Sequence, residues 1–328
     1  CIGSVGGGIK SGTPSPDGFG LQIHEIQGGE AEVVYSSEGV AMQTRSSGEV
    51  AVQILPATPN GNRIGSRAFA VARFNAVGIQ TSVVSASPSA VVADNNSKSV
   101  NISLTNIRDV AGNVVPDGSK VVITAQPHCF RNPDDSSCIP SLSGVITSGT
   151  ASPDGFGLKV HTVSGGQVQA VYDPDSVTLA FPDVGVANIQ VLPATPSGNR
   201  IGNHAFSIVP VTLSSLQQTQ VAVNPASLLA DQNAANVTTI TLTDIKDGAG
   251  NNVPDGTKVV ATAQAHCFRD PVTNGCVPSA GGTVTSGTPG PEGFGFKVHT
   301  ITGGSVQMTY ASSPVLVESR QADRKSVV

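Results

Sequence analysis

Apolar and polar positions alternate with a period of two through long stretches of the chain. Phe294, Phe296 and Val298 alternate with Gly295, Lys297 and His299, the pattern of a half-buried strand. The next stretch places Val306, Met308 and Tyr310 on one face. Gly303-Gly304 lies between the two, a two-residue hairpin signal that returns as Gly28-Gly29 and Gly165-Gly166. Val237–Ile245 mixes β-branched residues with leucine, and Lys258–Ala263 does likewise. Asp247–Asn251 and Pro254-Asp255-Gly256 read as turns. No stretch carries the spacing of an amphipathic helix. The pattern predicts an all-β fold of short antiparallel strands packed as a sandwich.

The pattern also repeats. Ser11–Gly20 (SGTPSPDGFG) returns in closely similar form as Ser148–Gly157 and Ser286–Gly295, at spacings of 137 and 138. Leu55–Pro59 and Gly61-Asn62-Arg63-Ile64-Gly65 return 137 residues later as Leu192–Pro196 and Gly198–Gly202. Ala111–Gly118 matches Ala249–Gly256 at 138. One repeat of about 137 residues is large enough to bury a core alone, unlike the units of a solenoid. Boundaries are expected near Gly78 and Ser215, where strand-like stretches give way to Ser87-Pro88-Ser89 or Asn224-Pro225-Ala226. Residues 1–78 are then the C-terminal part of one immunoglobulin-like repeat, 79–215 a complete one, and 216–328 the N-terminal part of a third.

Composition narrows the function. Only 12% of residues are charged, while the chain holds 37 Gly and 22 Pro, a mixture suited to strands and tight turns. A net charge of −5 argues against a nucleic-acid partner. No run of roughly 18 apolar residues is present, so no membrane insertion is expected in this region.

Ala230–Ala263, with Gly282–Thr285 and the later Gly-Gly hairpin, resembles bacterial immunoglobulin-like repeats of the invasin and intimin type. The matching features are a strand, a D-x-x-G-N-x-V-P-D-G turn and another strand, and Asp109–Gly118 carries the same turn. The resemblance covers about half of each repeat; the Leu-Pro-Ala-Thr-Pro segment and the cysteine region fall outside it. It implies rigid extracellular stalks on bacterial surfaces or phage particles that present a terminal adhesive domain.

Candidate chemistry is sparse. Cys129 and Cys138 are nine apart, and Cys267 and Cys276 repeat that spacing, with turn-forming residues between. Each pair is read as a disulfide closing a surface loop, which fits an oxidising, extracellular setting. The rival reading is a metal site, since His128 and His266 precede the first cysteine of each pair, although no second ligand pair is apparent. Cys1 aligns with Cys138 and Cys276, as the second half of such a loop; lipidation of a leading cysteine is the alternative. His24, His161 and His299 share one repeat position and are expected on a solvated strand face. Tyr35, Tyr172 and Tyr310, the only tyrosines, also share one position and suit a structural tyrosine whose hydroxyl bonds backbone near a strand end. Phe19, Phe156 and Phe294 are expected in the core. Asp94, Asn95, Asp231 and Asn233 at the repeat boundaries are open to Ca²⁺ binding or to turn capping; no other cofactor is implied. No catalytic arrangement is apparent, and the chain is not expected to be an enzyme.

The expected role is that of a non-catalytic spacer or stalk in a bacterial surface adhesin-like protein. Its partners would be neighbouring repeats or other copies, and a cell-surface receptor reached through other domains. The alternative is a subunit of a self-assembling extracellular filament or sheath. A carbohydrate-binding module is weaker, because the chain has no Trp and only 4% aromatic residues.

Overall fold

The structure, a computed structural model, describes residues 4–95, 98–175, 177–180, 183–230, 233–264, 267–270, 273–277 and 279–313. It is all-β: every regular element among the described residues is a strand. Before Gly78 lie β1 (Gly8–Ile9), β2 (Thr13–Pro14), β3 (Gln22–Ile23), β4 (Tyr35–Ser36), β5 (Ser47–Ile54) and β6 (Ala70–Val77). The middle repeat holds β7 (Ile79–Ser87), β8 (Ala90–Val92), β9 (Val100–Asp109), β10 (Lys120–Thr124), β11 (Val145–Ile146), β12 (Thr150–Ala151), β13 (Lys159–Thr162), β14 (Val168–Asp173), β15 (Val184–Ala194) and β16 (Ser207–Ser214). After Ser215 come β17 (Leu216–Asn224), β18 (Val237–Asp247), β19 (Lys258–Ala261), β20 (Thr283–Val284), β21 (Thr288–Pro289), β22 (Lys297–Thr300) and β23 (Val306–Ala311). Gly78 and Ser215 are thus single residues between consecutive strands. The chain forms two compact units, one of residues up to Ala90 with Asn95–Val177 and Gly185–Thr212, the other of Val91–Asp94, Thr178–Val184 and the chain from Leu213.

The middle repeat builds two sheets, β11-β14-β9-β7 and β12-β13-β10-β15-β16-β8. Alternation decides which side chains meet between them. Val100, Ile102 and Leu104 of β9 are fully buried, as is Tyr172 of β14, whereas Asn101 is exposed. β10 departs from alternation: Val121, Val122, Ile123 and Thr124 are all fully buried. It lies centrally, paired with β13 from Lys120↔Thr162 and with β15 from Lys120↔Ala194 to Thr124↔Gln190. Its outer face is covered as well, because Phe130 packs with Val122, Leu158, Val160 and Leu192. A strand buried on both faces must be apolar throughout. In the 4–77 segment, β5 and β6 pair with each other from Ser47↔Val77 to Ile54↔Ala70, matching β15 and β16 of the middle repeat.

The second unit contains the sheets β17-β18-β23-β20 and β19-β22-β21. Ile245, Val253, Val284, Ile301, Val306 and Met308 form its core. Among the described residues β19 pairs with β22 alone, and Val260 is 60% exposed where its counterpart Val122 is 0%. The counterpart of β15 would begin near residue 322, outside the described residues.

The Gly-Gly hairpins take the predicted form. Ser164↔Gln167 and Thr302↔Ser305 close loops whose two glycines all have positive φ: 57° and 69° at Gly165 and Gly166, 58° and 68° at Gly303 and Gly304. Two consecutive left-handed residues are what a tight hairpin with the natural strand twist requires.

Candidate functional site

The repeated Ser-x-Asp-Gly-Phe-Gly sequence is a turn with three consecutive left-handed residues. In the middle repeat the φ values are 73° at Gly155, 52° at Phe156 and 62° at Gly157. Phe19 (55°) and Phe294 (50°) repeat the arrangement between their own glycines. A bulky residue in this region is strained, so it persists only where its surroundings fix it. Here the Ser152 hydroxyl donates to the Gly198 carbonyl at 2.7 Å, and the Asp154 carboxylate accepts from the Arg200 backbone N–H. The first copy is held alike, by Ser15 on the Gly61 carbonyl at 2.8 Å and by Asp17 on the Arg63 N–H at 2.6 Å. The two most alike segments of the sequence are therefore bound to each other.

This corrects the expectation for the phenylalanines. Phe19, Phe156 and Phe294 are 87%, 52% and 62% exposed. The left-handed turn carries each ring outward, and over Phe19 and Phe156 lies an arginine from the Gly-Asn-Arg-Ile-Gly segment. Arg63 Cζ is 5.7 Å from the Phe19 centroid, and Arg200 Cζ is 5.9 Å from Phe156 and 5.4 Å from Phe130. These arginines were not singled out from the sequence, although the repetition of their motif at a fixed spacing marked the segment.

The cysteine loop forms the other wall. The structure joins Cys129 to Cys138 and Cys267 to Cys276. Within the first loop Arg131 Nη1 donates to the Ser136 carbonyl at 2.7 Å, and the Asn132 N–H to the Ser137 carbonyl at 2.8 Å. Asp135 is held below its ordinary pKa by hydrogen bonds from the hydroxyl and backbone N–H of Ser137. The loop docks on the 203–205 segment: the Arg131 N–H donates to the Asn203 carbonyl at 2.7 Å and the Ala205 N–H to the Arg131 carbonyl at 3.0 Å. His128 Nε2 lies 3.1 Å from both Gln126 Oε1 and the Phe156 carbonyl, and its ring meets Phe130 and Phe156 edge-on. Between these parts lies a pocket of ≈ 280 Å³ lined by His128, Cys129, Phe130, Phe156, Arg200 and Asn203.

Among the described residues no three His, Cys, Asp or Glu side chains gather as a metal set. Cys1, His266 and Asp231 lie outside the described residues. At the boundaries, Asp94 forms an isolated bridge with Thr178, and Asn233 Oδ1 accepts the Ala235 N–H at 3.0 Å as a turn cap.

The tyrosines and histidines form two further repeated arrangements. Tyr35, Tyr172 and Tyr310 donate to the carbonyls of Gly6 (3.0 Å), Ser143 (3.0 Å) and Gly281 (2.9 Å). The acceptor lies 29 residues upstream each time, so the hydroxyl ties a strand end to a distant segment rather than to a nearby corner. Each ring lies against a glycine: a Cβ on Gly144 would stand 2.3 Å from Tyr172 Cε2, and Gly7 and Gly282 face Tyr35 and Tyr310 as closely. Burial, and then the Asp173 carboxylate, push the Tyr172 hydroxyl well above its ordinary pKa.

The histidines depart from expectation. His161 and His299 are 9% and 6% exposed, and Nε2 is buried without a partner at both and at His24. The strand of His161, β13, is covered on both faces, since Val160 packs in the Phe130 cluster while His161 is buried on the other face. Each ring abuts a glycine; a Cβ on Gly149 would lie 2.7 Å from His161 Nε2. Burial lowers the pKa of both, and at His161 a hydrogen bond with the Gln169 backbone opposes it.

No protein-family model and no curated protein matches this sequence. The two disulfides point to an oxidising or extracellular environment, and no helix among the described residues is long and apolar enough to cross a membrane.

Proposed function

We propose that the chain is a non-catalytic stretch of tandem immunoglobulin-like β-sandwich repeats, similar to the invasin and intimin type, serving as a spacer or stalk in a bacterial surface adhesin-like protein. The observation that carries this reading is the junction at Gly78. A single residue separates β6 from β7, and the joint is laced by hydrogen bonds. The Gly78 N–H donates to the Ser46 carbonyl at 2.8 Å, the Arg45 N–H to the Ile79 carbonyl at 2.9 Å, and the Val110 N–H to the Gly78 carbonyl at 3.1 Å. Side chains add to it: the Thr44 hydroxyl donates to the His204 carbonyl at 2.8 Å, and Arg45 Nη1 reaches the Pro133 carbonyl at 3.0 Å and Asp134 at 2.7 Å. A Cβ on Gly78 would lie 2.1 Å from the Gln43 carbonyl oxygen, so only glycine fits.

A joint with so many fixed backbone groups resists bending, which a spacer needs and a flexible linker lacks. Spin labels on the exposed Ser66 and Ser197 should give a narrow distance distribution, broadened by the double variant Thr44→Ala, Arg45→Ala. A distribution already broad in the parent protein would refute the spacer reading.

A further inference from the structure

We propose that the pocket between Phe130, Phe156 and Arg200 binds the carboxylate of an acidic sugar residue. The charge at the site is the first reason. No acidic side chain lines the pocket in a protein of net charge −5. Arg200 donates through Nη1 to the Gly202 carbonyl at 2.6 Å, and among the described residues its side chain makes no ion pair. Its flat face lies against the two phenylalanine rings, and among the described residues Nε and Nη2 make no hydrogen bond. The N–H edge is the part of a guanidinium that takes a carboxylate through two parallel hydrogen bonds.

The second reason is Phe156. A ring serving only to fill the core would be buried, yet this one is 52% exposed and held in a left-handed conformation. Strain maintained for an exposed apolar surface marks a contact made with something else. Beside it, the exposed Asn203 side-chain amide makes no hydrogen bond among the described residues, which suits recognition of a hydroxyl. The pocket of ≈ 280 Å³ is small for a drug-sized ligand and suits a single ring.

A peptide C-terminus also carries a carboxylate, but its usual receptor is a nest of free backbone N–H groups. Here the Phe130 and Arg131 N–H groups are already bonded, to the His128 and Asn203 carbonyls. A sugar ring, with an apolar face for Phe156 and a carboxylate for Arg200, uses what the pocket offers. The disulfide and the docking of its loop on residues 203–205 hold the walls in place before binding, which lowers the entropic cost. The Arg63–Phe19 pair repeats half of the arrangement in the preceding repeat.

The test is calorimetric titration of the 1–328 protein with a trimer of galacturonic acid, its methyl ester, and a short peptide with a free C-terminus. The expected result is saturable binding of the acid that weakens with added salt and disappears on esterification. Arg200→Lys, which keeps the charge but loses the fork, should weaken binding at least about tenfold while the protein stays folded by its circular dichroism spectrum. Nuclear magnetic resonance on the parent protein gives a second readout that does not depend on a variant folding: shifts should centre on the Phe130 and Phe156 rings. Absence of binding at millimolar acid, undiminished binding by Arg200→Lys, shifts elsewhere, or preference for the peptide would each overturn the proposal.

Discussion

Adding one methyl group at Gly144 tests whether the tyrosine arrangement is rigid. Tyr172 is fully buried, and its hydroxyl is fixed on the Ser143 carbonyl at 3.0 Å. An alanine Cβ at Gly144 would stand 2.3 Å from Cε2, 2.6 Å from Oη and 2.7 Å from Cζ, all well inside van der Waals contact. The position also has φ +145°, which an L side chain rarely adopts. Backbone strain should cost about 1–3 kcal/mol, and overpacking against a ring with nowhere to move about 1–3 kcal/mol more. At a urea slope of about 2 kcal/mol per molar, Gly144→Ala should lower the unfolding midpoint by about 1–3 M. Gly112→Ala is the control: φ is +86° there, but nothing lies within 4 Å of the added Cβ, so only strain acts. The chain has no Trp and three Tyr, so with Tyr35→Phe and Tyr310→Phe the fluorescence reports on Tyr172 alone. Equal midpoints for Gly144→Ala and Gly112→Ala would show that the ring yields and would refute the reasoning.

The remaining predictions concern the histidines and the cysteine loop. Burial holds His161 and His299 below their ordinary pKa, so the unfolded chain takes up protons first as the pH falls. Stability should therefore be full above about pH 6.5 and fall as the pH drops below it. Urea midpoints at about pH 7.5 and 5.5 should differ in that direction, and less so in His161→Gln; a pH slope unaltered by that substitution counts against the buried neutral imidazole. The Cys129–Cys138 bridge spans a sequence separation of 9. Its loss in Cys129→Ala, Cys138→Ala should destabilise the repeat by about 2–3 kcal/mol through loop-closure entropy. The same variant should increase exchange at the Ala205 amide, which donates to the loop, and unchanged protection there would mean that the loop holds its place without the bridge.

Much of the fold was legible because turns and alternation are local signals. The Gly-Gly hairpins and the strands around them needed only neighbouring residues to be read. Burial was less legible, since it depends on what covers the second face of a sheet. Val121-Val122-Ile123 reads as a strand from its composition, but nothing local says that Phe130 will close over it. For the same reason His161 looked like a solvated residue on an outer face. The phenylalanine error has another cause: Gly-Phe-Gly suggests a ring packed between small residues, whereas three left-handed residues in succession turn that ring outward. The partnership of Arg200 with Phe156 spans 44 residues and was visible only as two motifs repeating together.

Comparison of the repeats within the chain explains which residues can vary. Core positions change between copies: Leu158 becomes Phe296, Ala170 becomes Met308, and Ile146 becomes Val284. An apolar interior tolerates such exchanges because volume lost at one position can be taken up by neighbours. Gly7, Gly144 and Gly282 are unchanged, as are the tyrosines they face; Gly12, Gly149 and Gly287 are unchanged with their histidines. These pairs admit no such adjustment. A methyl group on the glycine meets a ring at less than 3 Å, while a smaller ring would leave the Ser143 or Gly281 carbonyl without its hydroxyl. Neither partner can be replaced alone, so the pair persists as a unit while the core around it drifts. The Gly-Phe-Gly turn persists in the same way, with a phenylalanine ring that is more than half exposed in every copy. A ligand of the proposed kind accounts for an exposed ring at this place, and in the middle repeat the arginine and asparagine beside it match its chemistry.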